Sequence, residues 1–379
     1  MNKVSVAIYF LSMSISLLCA YALADPIKID DINYTSTIVE VGAGQPTIVA
    51  SDINADGNQD VVIANASDNN IITYLSDGKG TLNRGGIFAA GDSPSGLALS
   101  DINADGHVDV VVANHETSYI TVLFGKGGGT FVEPPHSPLN INVKPHPHVV
   151  KLSDLDGDET PDLIVDNRSH NGLLVLKGLS AGRFKTPGKV INAGGDPYRG
   201  FAVRDINNDG FEDIVTPNQR DIGVLLNTGD KQMRFSLSML AQPESPFAIE
   251  LADMNGDGNH DVIVATNGSV ITIMLGDGRG NFLKVAKSEF NASAGAKQIA
   301  TGDINDDGID DVLISSWSGE VLAILGTKSS FKSISFKHPQ ISNPWSLAIL
   351  DINQDGKSDF VIGDGDSKRA AVYVSSNDL

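Results

Sequence analysis

Nine-residue strings dense in side-chain oxygens recur along the chain. The first runs Asp52-Ile53-Asn54-Ala55-Asp56-Gly57-Asn58-Gln59-Asp60, and its relatives begin at Asp101, Asp154, Asp205, Asp253, Asp303 and Asp351. Oxygens stand at positions one, three, five and nine. These are Asp52, Asn54, Asp56 and Asp60, then Asp101, Asn103, Asp105 and Asp109, then Asp154, Asp156, Asp158 and Asp162. The later sets are Asp205, Asn207, Asp209 and Asp213, Asp253, Asn255, Asp257 and Asp261, Asp303, Asn305, Asp307 and Asp311, and Asp351, Asn353, Asp355 and Asp359. In a tight turn, alternating side chains converge on one point while those between point away. An all-oxygen set drawn from one flexible loop favours Ca²⁺ over zinc, copper or magnesium.

The remaining positions agree with that chemistry. Position six is Gly in every loop but the third, where Glu159 stands, and glycine permits the sharp turn that calcium loops need. Position seven varies freely, as suits a ligand supplied by the main-chain carbonyl. Position two is always apolar, so it points into a core. The third loop keeps its oxygens but departs in geometry. Up to seven structural calcium ions are expected, and their fourteen positive charges would offset most of the formal net charge of −20. That acidity argues against nucleic acid or anionic membrane as partners. Loops of this kind outside the cell often bind calcium at only about 10⁻⁴–10⁻³ M.

The elements that position these loops follow from their spacing. Successive first aspartates lie 49, 53, 51, 48, 50 and 48 residues apart. So even a period means one supersecondary unit used seven times. Each unit reads as four short strands. In the first, Thr47–Ser51 precedes the acidic loop, Val61–Ala64 is a continuous apolar run, Ile71–Leu75 follows, and the Gly-rich turn Asp77–Gly80 leads to an outer strand near Ile87. Four strands at this period predict a seven-bladed, all-β propeller of antiparallel blades. The seventh unit ends at Val372–Val374, where its third strand should finish, and Ser36–Gly42 has the look of an outer strand. The N-terminal strand is therefore expected to complete the last blade and close the ring, which also removes a sheet edge.

Residues 1–24 read as a cleavable signal peptide: Lys3, an apolar stretch from Val4 to Ala20, and the small-x-small site Ala22-Leu23-Ala24. The expected location is secreted or periplasmic. The single cysteine, Cys19, lies in that leader, so the mature chain, 25–379, has no disulfide and needs another staple. No later run is long or apolar enough to span a bilayer.

The Asp-x-Asn-x-Asp-Gly-x-x-Asp loops, together with turns such as Leu275-Gly276-Asp277-Gly278-Arg279-Gly280-Asn281-Phe282, resemble FG-GAP/VCBS repeats. Integrin α-subunit propellers, some fungal lectins and many exported bacterial proteins carry such repeats. The resemblance covers residues from about 36 to the C-terminus. It implies that the calcium loops join the first and second strands of each blade on one face. The opposite face then carries the turns into the innermost strands, where Pro46, Pro94, Pro147, Pro197, Pro246 and Pro344 recur.

Beside those prolines stand His146, His148, Tyr198, Arg199, Phe247, Lys297 and Trp345. Aromatic planes with basic and hydrogen-bonding groups suit a sugar or an acidic side chain. They equally suit a plugged channel mouth. No nucleophile elbow, His-Glu-x-x-His or phosphate loop is present in the sequence. The expected function is a non-catalytic binding module, monomeric, for a protein or glycan at the channel face. A polysaccharide lyase or hydrolase, or a structural envelope component, is the alternative.

Overall fold

The apolar run after each acidic loop becomes the second strand of its blade. Asp60–Asn65, Asp109–Asn114, Asp162–Asn167, Asp213–Pro217, Asp261–Thr266, Asp311–Ser316 and Asp359–Asp364 are buried at every residue. Strands covered on both faces need no alternation, and their branched side chains suit a pleated surface. The computed structural model describes residues 26–143, 147–197, 200–241 and 245–376. The leader, His146, Tyr198 and Arg199 lie outside the described residues.

Each blade is an antiparallel sheet built on four strands, taken in chain order in the first six blades. The first runs Pro46–Ser51, Asp60–Asn65, Asn70–Ser76 and Leu82–Ala89, from the channel outward. The fourth, fifth and sixth repeat it, with outer strands Phe235–Leu240, Phe282–Asn291 and Lys332–Phe336. The second and third blades deviate, and they contain the two longest intervals of the repeat. In the second, the outer strand is split into Phe131–Val132 and Leu139–Asn140, both on Tyr119–Gly125. Pro134, Pro135 and Pro138 fall in the gap, and proline cannot donate to a ladder. In the third, a small hairpin of Gly178–Leu179 and Arg183–Phe184 precedes the outer strand Lys189–Asn192.

The ring closes as the partial end units predict. Ile32–Glu40 pairs antiparallel with Arg369–Ser376, from Asn33 opposite Ser376 to Glu40 opposite Arg369. The clasp begins four residues earlier than the Ser36 read from sequence, and Ile27–Ile29 adds a fifth strand beyond it. Tyr34 locks the clasp inward, its hydroxyl lying 2.6 Å from the Ile304 carbonyl oxygen and 3.0 Å from that of Ser358. Among the described residues, an apolar cluster fills each of the seven gaps between blades. The one between the seventh and first blades, around Ile48, Ile63, Leu350 and Val361, completes the circle. No helix among the described residues is long and apolar enough to cross a membrane.

Candidate functional site

Every acidic loop has the same internal wiring. The position-one carboxylate accepts the N–H of position six, at 2.9 Å for Gly57 to Asp52 and 2.7 Å for Gly308 to Asp303. The position-five carboxylate accepts the N–H of position seven, as Asn58 to Asp56 at 2.8 Å and Lys357 to Asp355 at 2.9 Å. These bonds curl the main chain into a compact turn. They also explain the free variation at position seven, since what every loop uses there is the main-chain N–H. Two residues per loop are left-handed. Position six was legible from its glycines, but position four is left-handed too: Ala55, Ala104, Gly157, Asn208, Gly256, Asp306 and Gln354 all have positive φ. Of those seven, only the glycines, the asparagine and the aspartate hint at it.

Position nine does more than a ligand must. Asp60, Asp109, Asp162, Asp213, Asp261, Asp311 and Asp359 are fully buried. One oxygen of Asp60 accepts the Ile53 N–H at 3.2 Å and the other the Ser76 N–H at 2.8 Å. In the sixth blade Asp311 takes Ile304 at 2.9 Å and Gly326 at 2.7 Å, and the other blades match. Each thus ties its loop to the end of the third strand. Burial raises their pKa values, and these two N–H bonds only partly counter it: to about 6 for Asp60, Asp109, Asp162, Asp213 and Asp359. Asp261 and Asp311 reach about 7.

These donor sets fit a hard divalent cation. They are all oxygen, and in the seventh loop Asp351 Oδ1 is buried with no hydrogen-bond partner. The third loop is different. Asp154, Asp156 and Asp162 each offer an oxygen within 4.8 Å of the other two. Where five loops place an asparagine amide against the position-five carboxylate, this one has Asp156, an extra negative charge. The Lys177 ammonium answers it, donating to Asp156 and, at 2.8 Å, to Asp158 Oδ2. Partial desolvation pulls Lys177 down, but its bonds to both aspartates more than reverse this and hold it above the usual lysine range.

The other face is organised by bulges. In the second, fifth, sixth and seventh blades the first strand carries one extra residue just inside its head: Ser95, Phe247, Lys297 and Trp345. A bulge re-aims its side chain and is common beside sites. A depression of about 800 Å³ opens there, and His148, Lys297 and Trp345 help line it. Phe247 is instead buried in the core between the fifth and sixth blades. Deeper in, Lys151 of the third blade meets Glu250 of the fifth at 3.2 Å, an ion pair that skips the blade between them.

One rim is aromatic. Trp317 is 48% exposed and stands edge-on to Trp345, with ring centroids 5.4 Å apart and planes at 88°. The buried Lys297 ammonium lies 4.7 Å from the centroid of Trp317 and 5.5 Å from that of Trp345. It donates to the Asn343 side chain and, at 3.0 Å, to the Pro344 carbonyl. The cation therefore fixes both indoles while leaving Trp317 open. The residues that close the second strands, Asn65, Asn114, Asn167, Asn218, Thr266, Ser316 and Asp364, are buried. Asn218 donates to the Ala193 carbonyl at 2.8 Å, and Asp364 accepts the Ser342 N–H at 3.2 Å, so they hold turns together.

A closed seven-bladed ring with an acidic loop between the first two strands of each blade defines a repeat propeller. The chain belongs to the FG-GAP-like repeat family, which it matches over residues 52–112, 101–165, 154–216, 205–264, 253–314 and 303–362. No curated protein matches it. Solved structures do. BBS1N, crystallised in complex with ARL6DN, is similar at 13% identity over 90% of this chain and 95% of that one, with a TM-score of 0.61. A second crystal of the same complex gives 14% identity, 90% and 97% coverage and a TM-score of 0.62. An Agrocybe aegerita lectin that recognises non-reducing terminal N-acetylglucosamine is similar at 18% identity over 88% of this chain and 86% of that one, TM-score 0.57. Likenesses this distant establish the fold alone.

Proposed function

We propose that this chain is an exported, calcium-stabilised propeller that binds a glycan at its channel mouth. The observation that carries this reading is the half-exposed Trp317, edge-on to Trp345, which lines the depression, with the Lys297 ammonium beside both rings. A pyranose ring stacks on such a face, and polar groups around it fix orientation. The similar lectin supports a glycan as ligand class, and the similar BBS1N complex supports a protein ligand as the second reading.

Calcium holds the frame in this reading. Loops one, two and four to seven each take one ion through positions one, three and five, the position-seven carbonyl and position nine. In the third loop the Lys177 ammonium competes for the same oxygens, so that loop fills last. The leader read at residues 1–24 carries the chain out of the cytoplasm to a place where calcium is plentiful and serves as the staple that the absent cysteines cannot supply.

Screening residues 25–379 and the Trp317→Ala variant against a glycan and polysaccharide panel, with and without calcium, tests both parts. Binding by the parent chain that falls at least tenfold in the variant supports the reading. Equal binding by both, or shortened polysaccharide products, overturns it. Chelation should lower the melting temperature, because calcium binds the folded state preferentially.

A further inference from the structure

The ion pair across the channel has no counterpart at its level in the ring. Lys151 and Glu250 each lie three residues before the position-one aspartate of their blade. At that place the other five blades carry Val49, Ala98, Ala202, Ala300 and Ala348. Strand pairing puts them at one height, since Lys151 faces Ile164 and Glu250 faces Ile263 where Val49 faces Val62. Small apolar neighbours leave room for two long side chains to reach across. Their ends meet at 3.2 Å, and each side chain is 30% exposed and lines the depression.

Polar side chains higher on the wall are committed to the frame, where they tie neighbouring first strands together. Thr47 Oγ1 donates to the Ser95 carbonyl at 2.7 Å, Ser346 Oγ accepts the Ile48 N–H at 2.9 Å, and Gln298 Oε1 accepts the Leu347 N–H at 2.9 Å. The ion pair differs. An ammonium has three donors and a carboxylate about four acceptor sites, and one bond joins the two groups. Most of their hydrogen-bonding capacity therefore faces the depression. Partly open pairs of this kind add little to stability, so the frame alone gives no strong reason for two charges here.

We propose that Lys151 and Glu250 select an uncharged sugar at the end of a glycan chain, an inference that rests on the glycan reading above. Neighbouring hydroxyls of a pyranose match the spacing of the two charged heads. One hydroxyl accepts from the Lys151 ammonium while the next donates to the Glu250 carboxylate, and both bonds are charge-assisted. A terminal uronic acid would instead set its carboxylate beside that of Glu250, and such like-charge juxtaposition rejects a ligand. The formal net charge of −20 acts in the same sense. Depth selects the chain end. Trp345 stands six residues before its position-one aspartate and the ion pair three, so the pair lies roughly 7–10 Å deeper along the strands. One end of a glycan can enter that far while its next sugar meets Trp317 at the rim. The middle of a chain, laid across the mouth, cannot.

The test is calorimetry of residues 25–379 in millimolar Ca²⁺. The probes are short oligosaccharides ending in glucose, galactose, mannose or xylose, with matched chains ending in glucuronic or galacturonic acid. The parent should bind a neutral end at least tenfold more tightly than its acidic match. Glu250→Gln should weaken neutral binding about tenfold and shrink that preference at least tenfold, because the Lys151 ammonium is released for a ligand carboxylate. A role confined to the frame would move neither. Lys151→Met should weaken neutral binding about tenfold without admitting the acidic chain, and both variants should melt with the parent. An acidic preference in the parent overturns the proposal, as does an unchanged preference in Glu250→Gln. A polymer that competes by its mass rather than by its number of ends overturns it too. Binding lost in Trp317→Ala yet untouched in both ion-pair variants overturns it while leaving the glycan reading in place. No binding to any end overturns both.

Discussion

Lys177 stands in its blade where Leu75, Phe124, Leu226, Leu275, Leu325 and Val374 stand in theirs, one residue before the N–H that caps the position-nine aspartate. Six apolar residues and one ammonium at a repeated place mark a substitution with a local cause, the extra carboxylate of Asp156. Lys177→Met should raise the calcium count by one, read by native mass spectrometry, and cost about 2 kcal/mol of stability in chelator, where Asp156 and Asp158 would lose their cation. An unchanged count would refute the competition. Glu159 tells a second story at this scale. Its φ of +66° lies where the other loops use glycine. A side chain there costs about 1 kcal/mol, so Glu159→Gly should stabilise the protein by that much in denaturant titration. Glu159 was visible in the sequence as a departure. Lys177 was not, because it enters the third loop from a strand end fifteen residues beyond Asp162, and only blade topology joins them.

At the scale of the element, the loop and the third strand are one unit, stitched by a buried carboxylate. The seven position-nine aspartates have pKa values of about 6 to 7 in the fold, above their unfolded values. The folded state therefore holds these protons more tightly, and the associated stability is full below about pH 4 and lost as pH rises through 6 to 7. In chelator, the melting temperature should fall across that window by on the order of 10 °C, since a few kcal/mol shift a domain by several degrees. Saturating calcium should abolish the fall, which differential scanning calorimetry at pH 5 and pH 8 would read. A flat profile in chelator would count against it. The motif made the loop legible, and the unbroken apolar runs made the second strands legible, because periodicity needs only local sequence. The bulges were not, although a proline at the strand head stood beside three of the four. A bulge is a mismatch between partners, and no strand records it alone.

At the scale of the molecule, closure depends on strands from opposite ends of the chain. The partial unit at each end made this legible, while the three-residue strand Ile27–Ile29 was too short to read. A chain beginning at residue 42 would lack the outer strand of the seventh blade and leave Arg369–Ser376 as an open edge. It should melt well below the 25–379 form and associate on size-exclusion chromatography. A monomer of unchanged melting temperature would show that closure rests on the apolar cluster between the seventh and first blades instead.

The clasp has a mechanical consequence. Asn33 lies opposite Ser376, so once the short strand Ile27–Ile29 is released the chain enters and leaves the ladder at the same end. Tension applied through both ends would peel the eight pairs one at a time rather than load them together in shear. The ring is thus weakest along the one direction that runs through both of its own ends. Held by one end, with the load arriving at a blade face, it meets force with its whole circumference.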